Sequence, residues 1–216
     1  MIPRFLFILV FSLSLVLVFG CKSGGSGPGA KVKRYPYERL HIQHEVSGVL
    51  RGKEDVYSAD FGRLEARYSD LEILGERGIV RNRTIIINKG ADLYTFNIES
   101  VEASHTVIPI LDSLYKGLLS VSTPKELSDY TFQLGGLMPK GIDTVLGFRC
   151  DKWVTPDEKV TLLVSNGMLL RKLTPDQQGG VVNDIAVAID TNWVVDSTVF
   201  TFPANVTFKE KKFGEQ

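Results

Sequence analysis

The chain has 216 residues, with 25 Lys and Arg against 25 Asp and Glu, 44% apolar and 23% charged residues. This length predicts a single domain or one domain with an appendage. The composition excludes a disordered chain, which needs low hydrophobicity and high net charge. The lack of a basic excess argues against a nucleic-acid partner, and two cysteines cannot build a disulfide framework.

Residues 1–20 read as an export signal. The apolar run 5–19, FLFILVFSLSLVLVF, follows Arg4 and is short for a membrane-spanning helix. It ends in Val18-Phe19-Gly20-Cys21, which resembles a bacterial lipobox, with Phe19 where a small residue is more usual. That resemblance implies cleavage before Cys21 and a diacylglyceryl group on its sulfur. Two or more acyl chains hold a protein stably at a bilayer where one does not. Residues 22–34, KSGGSGPGAKVKR, are rich in Gly and Ser. With Cys21 they give a flexible tether over 21–36, with an end-to-end distance of roughly 20 Å. Lys22, rather than Asp, after the lipidated position favours the outer membrane, with the domain facing the periplasm. The expected folded domain is 37–210, followed by a charged tail at 211–216. If Cys21 carries lipid, Cys150 has no partner in the chain, and its apolar surroundings predict a buried, inert thiol.

The predicted elements follow in chain order. Strands are expected at 42–50 and 54–60, and Asp60-Phe61-Gly62 reads as a hairpin turn. Over 63–74 the alternation puts Leu64, Ala66 and Tyr68 on one side and Glu65, Arg67 and Ser69 on the other, as in a half-buried antiparallel strand. Three consecutive isoleucines within 79–88 predict a strand buried on both faces. After a turn at Gly90-Ala91-Asp92, the next strand groups Tyr94, Phe96 and Ile98. Leu111, Leu114, Tyr115, Leu118 and Leu119 recur at helical spacing. A second helix has a sharper start: Thr123 caps, Pro124 suits the first position, and Glu126 completes a capping box. Its apolar stripe includes Leu127 and Leu134, and Gly135-Gly136 stops it. Strands resume over 143–154. Asn166-Gly167 between two apolar runs marks a hairpin. In 184–190, Ile185, Val187 and Ile189 alternate with Ala186 and Ala188. STVFTFPANVTF, 197–208, is read as a closing strand, and Lys209 to Lys212 as a solvated end. Eight to ten strands, on this rough count, with one or two central helices make an α+β domain with a mainly antiparallel sheet.

No catalytic constellation emerges. Asp60-Phe61-Gly62 matches the kinase magnesium tripeptide without the other kinase elements, and Ser122 to Lys125 matches Ser-x-x-Lys without its companions. His41 and His44, three apart on a strand, point to opposite faces, and no cluster of metal ligands is present. No cofactor motif is found. Arg77, Arg81 and Arg83, with Glu72 and Glu76 nearby, read as a solvated strand surface.

Four stretches carry a family resemblance: GKEDVYSADFGRLEARY (52–68), GIDTVLGFRCDKW (141–153), KVTLLVSNGMLLRKL (159–173) and DSTVFTFPANV (196–206). Together they resemble the LolA/LolB-like superfamily of periplasmic lipoprotein carriers over about residues 40–208. The resemblance implies a half-open antiparallel β-barrel with helices on its concave face and a cavity for acyl chains of lipids or lipoproteins. Some relatives instead act as envelope-stress sensors. The residues matching an apolar cavity are Tyr94, Phe96, Ile98, Leu162, Val164, Ile185, Val187 and Ile189, and those of a lid are Leu111, Leu114, Leu118, Leu127, Leu134 and Leu137. Leu137-Met138-Pro139 is the candidate for a protruding apolar loop. The resulting expectation is a non-enzymatic, lipid-anchored acyl-binding protein. The alternative is a scaffold or sensing module with a packed core and a protein partner.

Overall fold

The computed structural model describes residues 32–75, 78–117, 121, 123–175 and 180–214. The signal segment, Cys21 and most of the tether lie outside these residues. Twelve strands form one open sheet: β1 (Leu40–Gly48), β2 (Leu50–Ala59), β3 (Leu64–Gly75), β4 (Gly78–Lys89), β5 (Asp92–Asn97), β6 (Glu102–Val107), β7 (Met138–Val145), β8 (Phe148–Val154), β9 (Thr161–Ser165), β10 (Met168–Pro175), β11 (Val181–Asp190) and β12 (Lys209–Glu210). Their spatial order is β12-β6-β5-β4-β3-β2-β1-β11-β10-β9-β8-β7. Every pairing is antiparallel except that of β12 with β6. Helices α1 (Pro109–Tyr115) and α2 (Pro124–Leu134) lie in the connection from β6 to β7.

Local chemistry sets the turns. Asn166 and Gly167 both take positive φ, 46° and 86°, as a two-residue hairpin turn requires. Asp60, Phe61 and Gly62 are all left-handed, at 48°, 57° and 84°, and reverse the chain between β2 and β3. At α2, Thr123 accepts from the Glu126 backbone N–H while the Glu126 side chain returns to the Thr123 N–H. The predicted capping box is therefore present.

Directly paired residues in an antiparallel sheet share a face. On β1 to β4 one face carries Leu40, Ser58, Glu65 and Asn88 in one row, and Ile42, Val56, Arg67 and Ile86 in the next. The opposite face carries Ala66, Ile85, Ile87 and Phe96, packed with Leu64, Tyr68, Ile98, Phe200, Phe202 and Phe208. Segment 193–208 thus covers the second face. The triple isoleucine is enclosed from both sides, with Ile85 and Ile87 buried and Ile86 half-buried.

Several expectations are corrected. β6 was not foreseen, because EASHTV has little apolar character. The strand expected from 143 is a hairpin of β7 and β8 that starts at Met138. Segment 197–208 is not a strand. It forms a short 3-10 turn at Ser197–Phe200 followed by irregular chain whose aromatic side chains cap the sheet. Lys209 and Glu210 form β12 instead of a free solvated end. Leu137 is buried and Met138-Pro139 begins β7, so this stretch is not a protruding loop. On β3 the polar side is not solvated, since Glu65 is only 3% exposed.

Candidate functional site

The first face of β1 to β4 carries buried charges. Glu65 accepts a hydrogen bond from the Tyr35 hydroxyl and another from Asn88 Nδ2 at 3.3 Å, and it pairs with Arg34 at 3.4 Å. Burial alone would push its carboxyl up. Arg34 and Arg67, with the two hydrogen bonds, reverse that and hold it below the usual range. Glu65 therefore stays ionised at neutral pH and is unsuited to act as a general acid there. Burial, followed by the Glu65 charge, pushes the Tyr35 hydroxyl up.

The chain before β1 is bound into this site. The Arg34 and Tyr35 backbone N–H groups donate to Phe61 O at 2.8 and 3.2 Å, and Arg34 Nη1 donates to Gly62 O. The Lys33 ammonium sits 4.0 Å from the centre of the Phe61 ring. The end of the expected tether is thus packed against the sheet.

A second knot lies further along the same face. Arg67 and Ser69 both donate to Glu54, at 2.8 and 2.7 Å. Glu54 in turn raises the Arg67 guanidinium. His44, buried on β1, bonds Asp184 of β11 through Nδ1 at 2.7 Å. Burial pushes the Lys172 ammonium down, and nearby Arg67 adds to the effect. Among the described residues Lys172 has no ion pair. Ser58 Oγ, Asn88 Oδ1 and the Tyr115 hydroxyl are buried without a hydrogen-bond partner among the described residues. The arrangement can hold polar groups in fixed geometry. It aligns no nucleophile with a base.

The helical connection joins β6, near one edge of the sheet, to β7 at the other edge. Its α1 end places Tyr115 beside Arg63, with the guanidinium 5.4 Å from the ring centre. Its α2 end packs Phe132 against Trp153, ring centres 5.6 Å apart, and Lys125 pairs with Asp151.

The eight residues of the expected cavity fall into separate clusters. Tyr94, Phe96 and Ile98 lie on the second face, beneath segment 193–208. Leu162 and Val164 pack with Leu137, Trp153 and Phe132. Ile185 and Ile189 pack against the cluster of Leu40, Ile42, Val56 and Leu170. Val187 departs from them, because a bulge pairs Gln43 with Ala188 and His44 with Ala186, which breaks the alternation read from the sequence. Val187 is 43% exposed. Of the lid residues, Leu114, Leu127 and Leu137 are buried, Leu111 and Leu134 are half-buried, and Leu118 lies outside the described residues. Cys150 is fully buried and burial pushes its thiol up. Arg81 and Arg83 pair with Asp70 and Glu99 on the surface; Arg77 and Glu76 lie outside the described residues.

The sequence reading missed the buried polar face. Its one available signal was the density of Glu, Arg and Ser at alternate positions on β2 and β3, a pattern that ordinarily marks a solvated side.

No family model and no curated protein matches the chain. Among solved structures, an uncharacterized conserved protein from Thermus thermophilus aligns at a TM-score of 0.42 and 13% identity, over 79% of this chain and 90% of that one. LprF from Mycobacterium bovis aligns at 0.34 and 12%, over 79% and 91%. The LolA superfamily protein NE2245 from Nitrosomonas europaea aligns at 0.28 and 13%, over 78% and 92%. At scores this low the likenesses carry no function from one protein to another.

Proposed function

We propose that this chain is a lipid-anchored binding protein of the bacterial cell envelope, held at the outer membrane through Cys21, that acts without catalysis. Its ligand is an acyl chain of a lipid or lipoprotein, as the LolA/LolB-like resemblance of the sequence implies. One observation carries the reading: the helical connection between β6 and β7 runs between strands near opposite edges of an open sheet. Its described ends meet the sheet through side chains, Tyr115 beside Arg63 and Phe132 on Trp153, and it belongs to no strand ladder, so in this reading it lifts without breaking one. The seat assigned to it is the apolar cluster of Leu40, Ile42 and Val56 with Ile189, which pairs with Ile42 on the same face; the α2 end of the connection itself packs on the neighbouring cluster of Leu162, Val164 and Trp153. Each buried methylene contributes about 0.8 kcal/mol, so a long acyl chain binds there without a charged contact. A fatty acid carrying a photoreactive diazirine in its chain tests this. Labelled peptides from β1, β2 and β11 together with 109–137 are expected; labelling confined to exposed edge residues would count against the seat.

A second reading has its own observation. β7 ends the sheet, seven of its eight residues are exposed, and Met138 and Ile142 are among them. Such an edge accepts a further strand from a protein partner, although Pro139 and a bulge between Pro139 and Ile142 blunt it. Under this reading the core is packed, no acyl probe is retained, and Ile142→Lys abolishes partner binding in a folded protein.

A further inference from the structure

A separate group of charged side chains closes the other edge of the sheet. His105 on β6 is bound at both ring nitrogens: Nε2 lies 2.8 Å from Asp92 Oδ1 on β5, and Nδ1 lies 2.8 Å from Glu210 Oε2 on β12. The Tyr94 ring stacks on the imidazole at 4.5 Å, and Lys89 lies beyond it, 5.8 Å from the Tyr94 ring. The strap itself adds Lys209, Lys211 and Lys212 around Glu210. The backbone ties of β12 are few: a two-residue parallel ladder and the Lys211 N–H to His105 O at 2.8 Å.

The segment behind β12 covers apolar surface. Phe208 meets Tyr94 edge-on at 5.3 Å and Phe202 at 4.8 Å, while Phe202 reaches Phe96. Further back the chain is fixed more firmly. Phe200 is buried, and the Tyr68 hydroxyl donates to Val199 O at 2.8 Å. Residues 201–211 therefore form a strap hinged at Phe200 and pinned at its far end by His105.

We propose that His105 is the pin of a pH-released clasp, which holds residues 201–211 over the aromatic surface of β4 to β6 while the imidazolium bridges Asp92 and Glu210, and lets them go when the ring loses its proton. The chemistry is a matter of donors. An imidazolium offers two N–H groups, one to each carboxylate. A neutral imidazole offers one, and its other nitrogen then presents a lone pair to a carboxylate. Glu210, with its side chain 79% exposed, is the partner able to leave for water. The geometry agrees with the direction of titration: the hydrogen bond to Glu210 raises the His105 ring above its ordinary 6.5, burial opposes this, and Asp92 adds to the rise. A raised histidine contributes its stabilisation fully below the unfolded value and loses it as pH climbs through the folded one. The clasp is thus closed in mild acid and open in mild alkali. It works whichever ligand the first face takes.

Hydrogen exchange of the full chain, read by mass spectrometry at about pH 6 and about pH 9 and corrected for intrinsic exchange, tests the clasp. Because the folded ring titrates above its unfolded value, protection of 102–107 and 201–211 should fall at the higher pH. Glu210→Gln, at an exposed position, should abolish that pH dependence and lower the His105 titration midpoint seen by NMR. His105→Gln should leave the strap open at both values. Equal protection of the wild-type strap at both pH values, or an unchanged pH dependence in Glu210→Gln, would overturn the proposal.

Discussion

Arg34 and Glu65 pair at 3.4 Å, and this contact binds the chain that enters the domain to the buried face of β3. Glu65 is 3% exposed and gathers Tyr35 and Asn88 as well as Arg34. Removing one member of such a buried group leaves the others uncompensated, at about 3–5 kcal/mol. Glu65→Ala should therefore destabilise the domain by that amount in urea titration and increase proteolysis near Lys33. Arg34→Met with Glu65→Leu should lose less than the sum of the single variants, because neither charge is then left alone. A Glu65→Ala loss below about 1 kcal/mol would place the pair with ordinary surface contacts.

The same residue sets an acid limit. Glu65 titrates below its ordinary 4.5 in the folded chain. The stabilisation from a depressed carboxyl is complete above the unfolded value and disappears as pH falls through the folded one. Thermal unfolding followed downward from about pH 5 should show a fall in Tm that is shallower in Glu65→Gln. Parallel curves for the two proteins would remove Glu65 from the acid response.

Gly167 joins the same region from the opposite half of the sheet. Its φ is 86°, and a Cβ there would lie 2.2 Å from Arg34 O. Gly167→Ala meets both an unfavourable backbone and a backbone neighbour, so it should lose more than about 1 kcal/mol. Asn166→Gly meets neither and should be near neutral. Equal stability of the two variants would show that Arg34 does not rest on the hairpin turn.

The parts of the fold that were readable in the sequence are those fixed by local chemistry. The Asn166-Gly167 turn, the Thr123 to Glu126 cap and the two-sided burial of Ile85 to Ile87 depend on residues close together in the chain. The buried role of Glu65 depends on Arg34, Tyr35 and Asn88, which come from separate segments, and alternation alone cannot separate a solvated carboxylate from a paired one. Val187 misled for a different reason, because a bulge in the pairing of β1 with β11 breaks a period that looks regular in the sequence. β6 and β12 are held by backbone ladders and by His105 with its two carboxylates, and their sequences EASHTV and KE are mostly polar, so neither carries a hydrophobic signal.

The anchor makes its own prediction. Intact mass of the membrane-extracted protein should show a chain beginning at Cys21 with a diacylglyceryl group, and Cys21→Ala should leave the membrane fraction. A mature protein that starts elsewhere, without lipid, would remove the anchor from the account.

The central claim is that the covered face of the open sheet takes an acyl ligand. Native mass spectrometry of residues 32–216, before and after incubation with phospholipid or an acylated peptide, tests it most directly, with solvent extraction to identify what is bound. One stoichiometric adduct is expected, lost when Ile42 or Ile189 is replaced by Asp in a protein that still folds. An apo mass unchanged by either ligand would contradict the claim and leave a packed domain that works through the edge at β7.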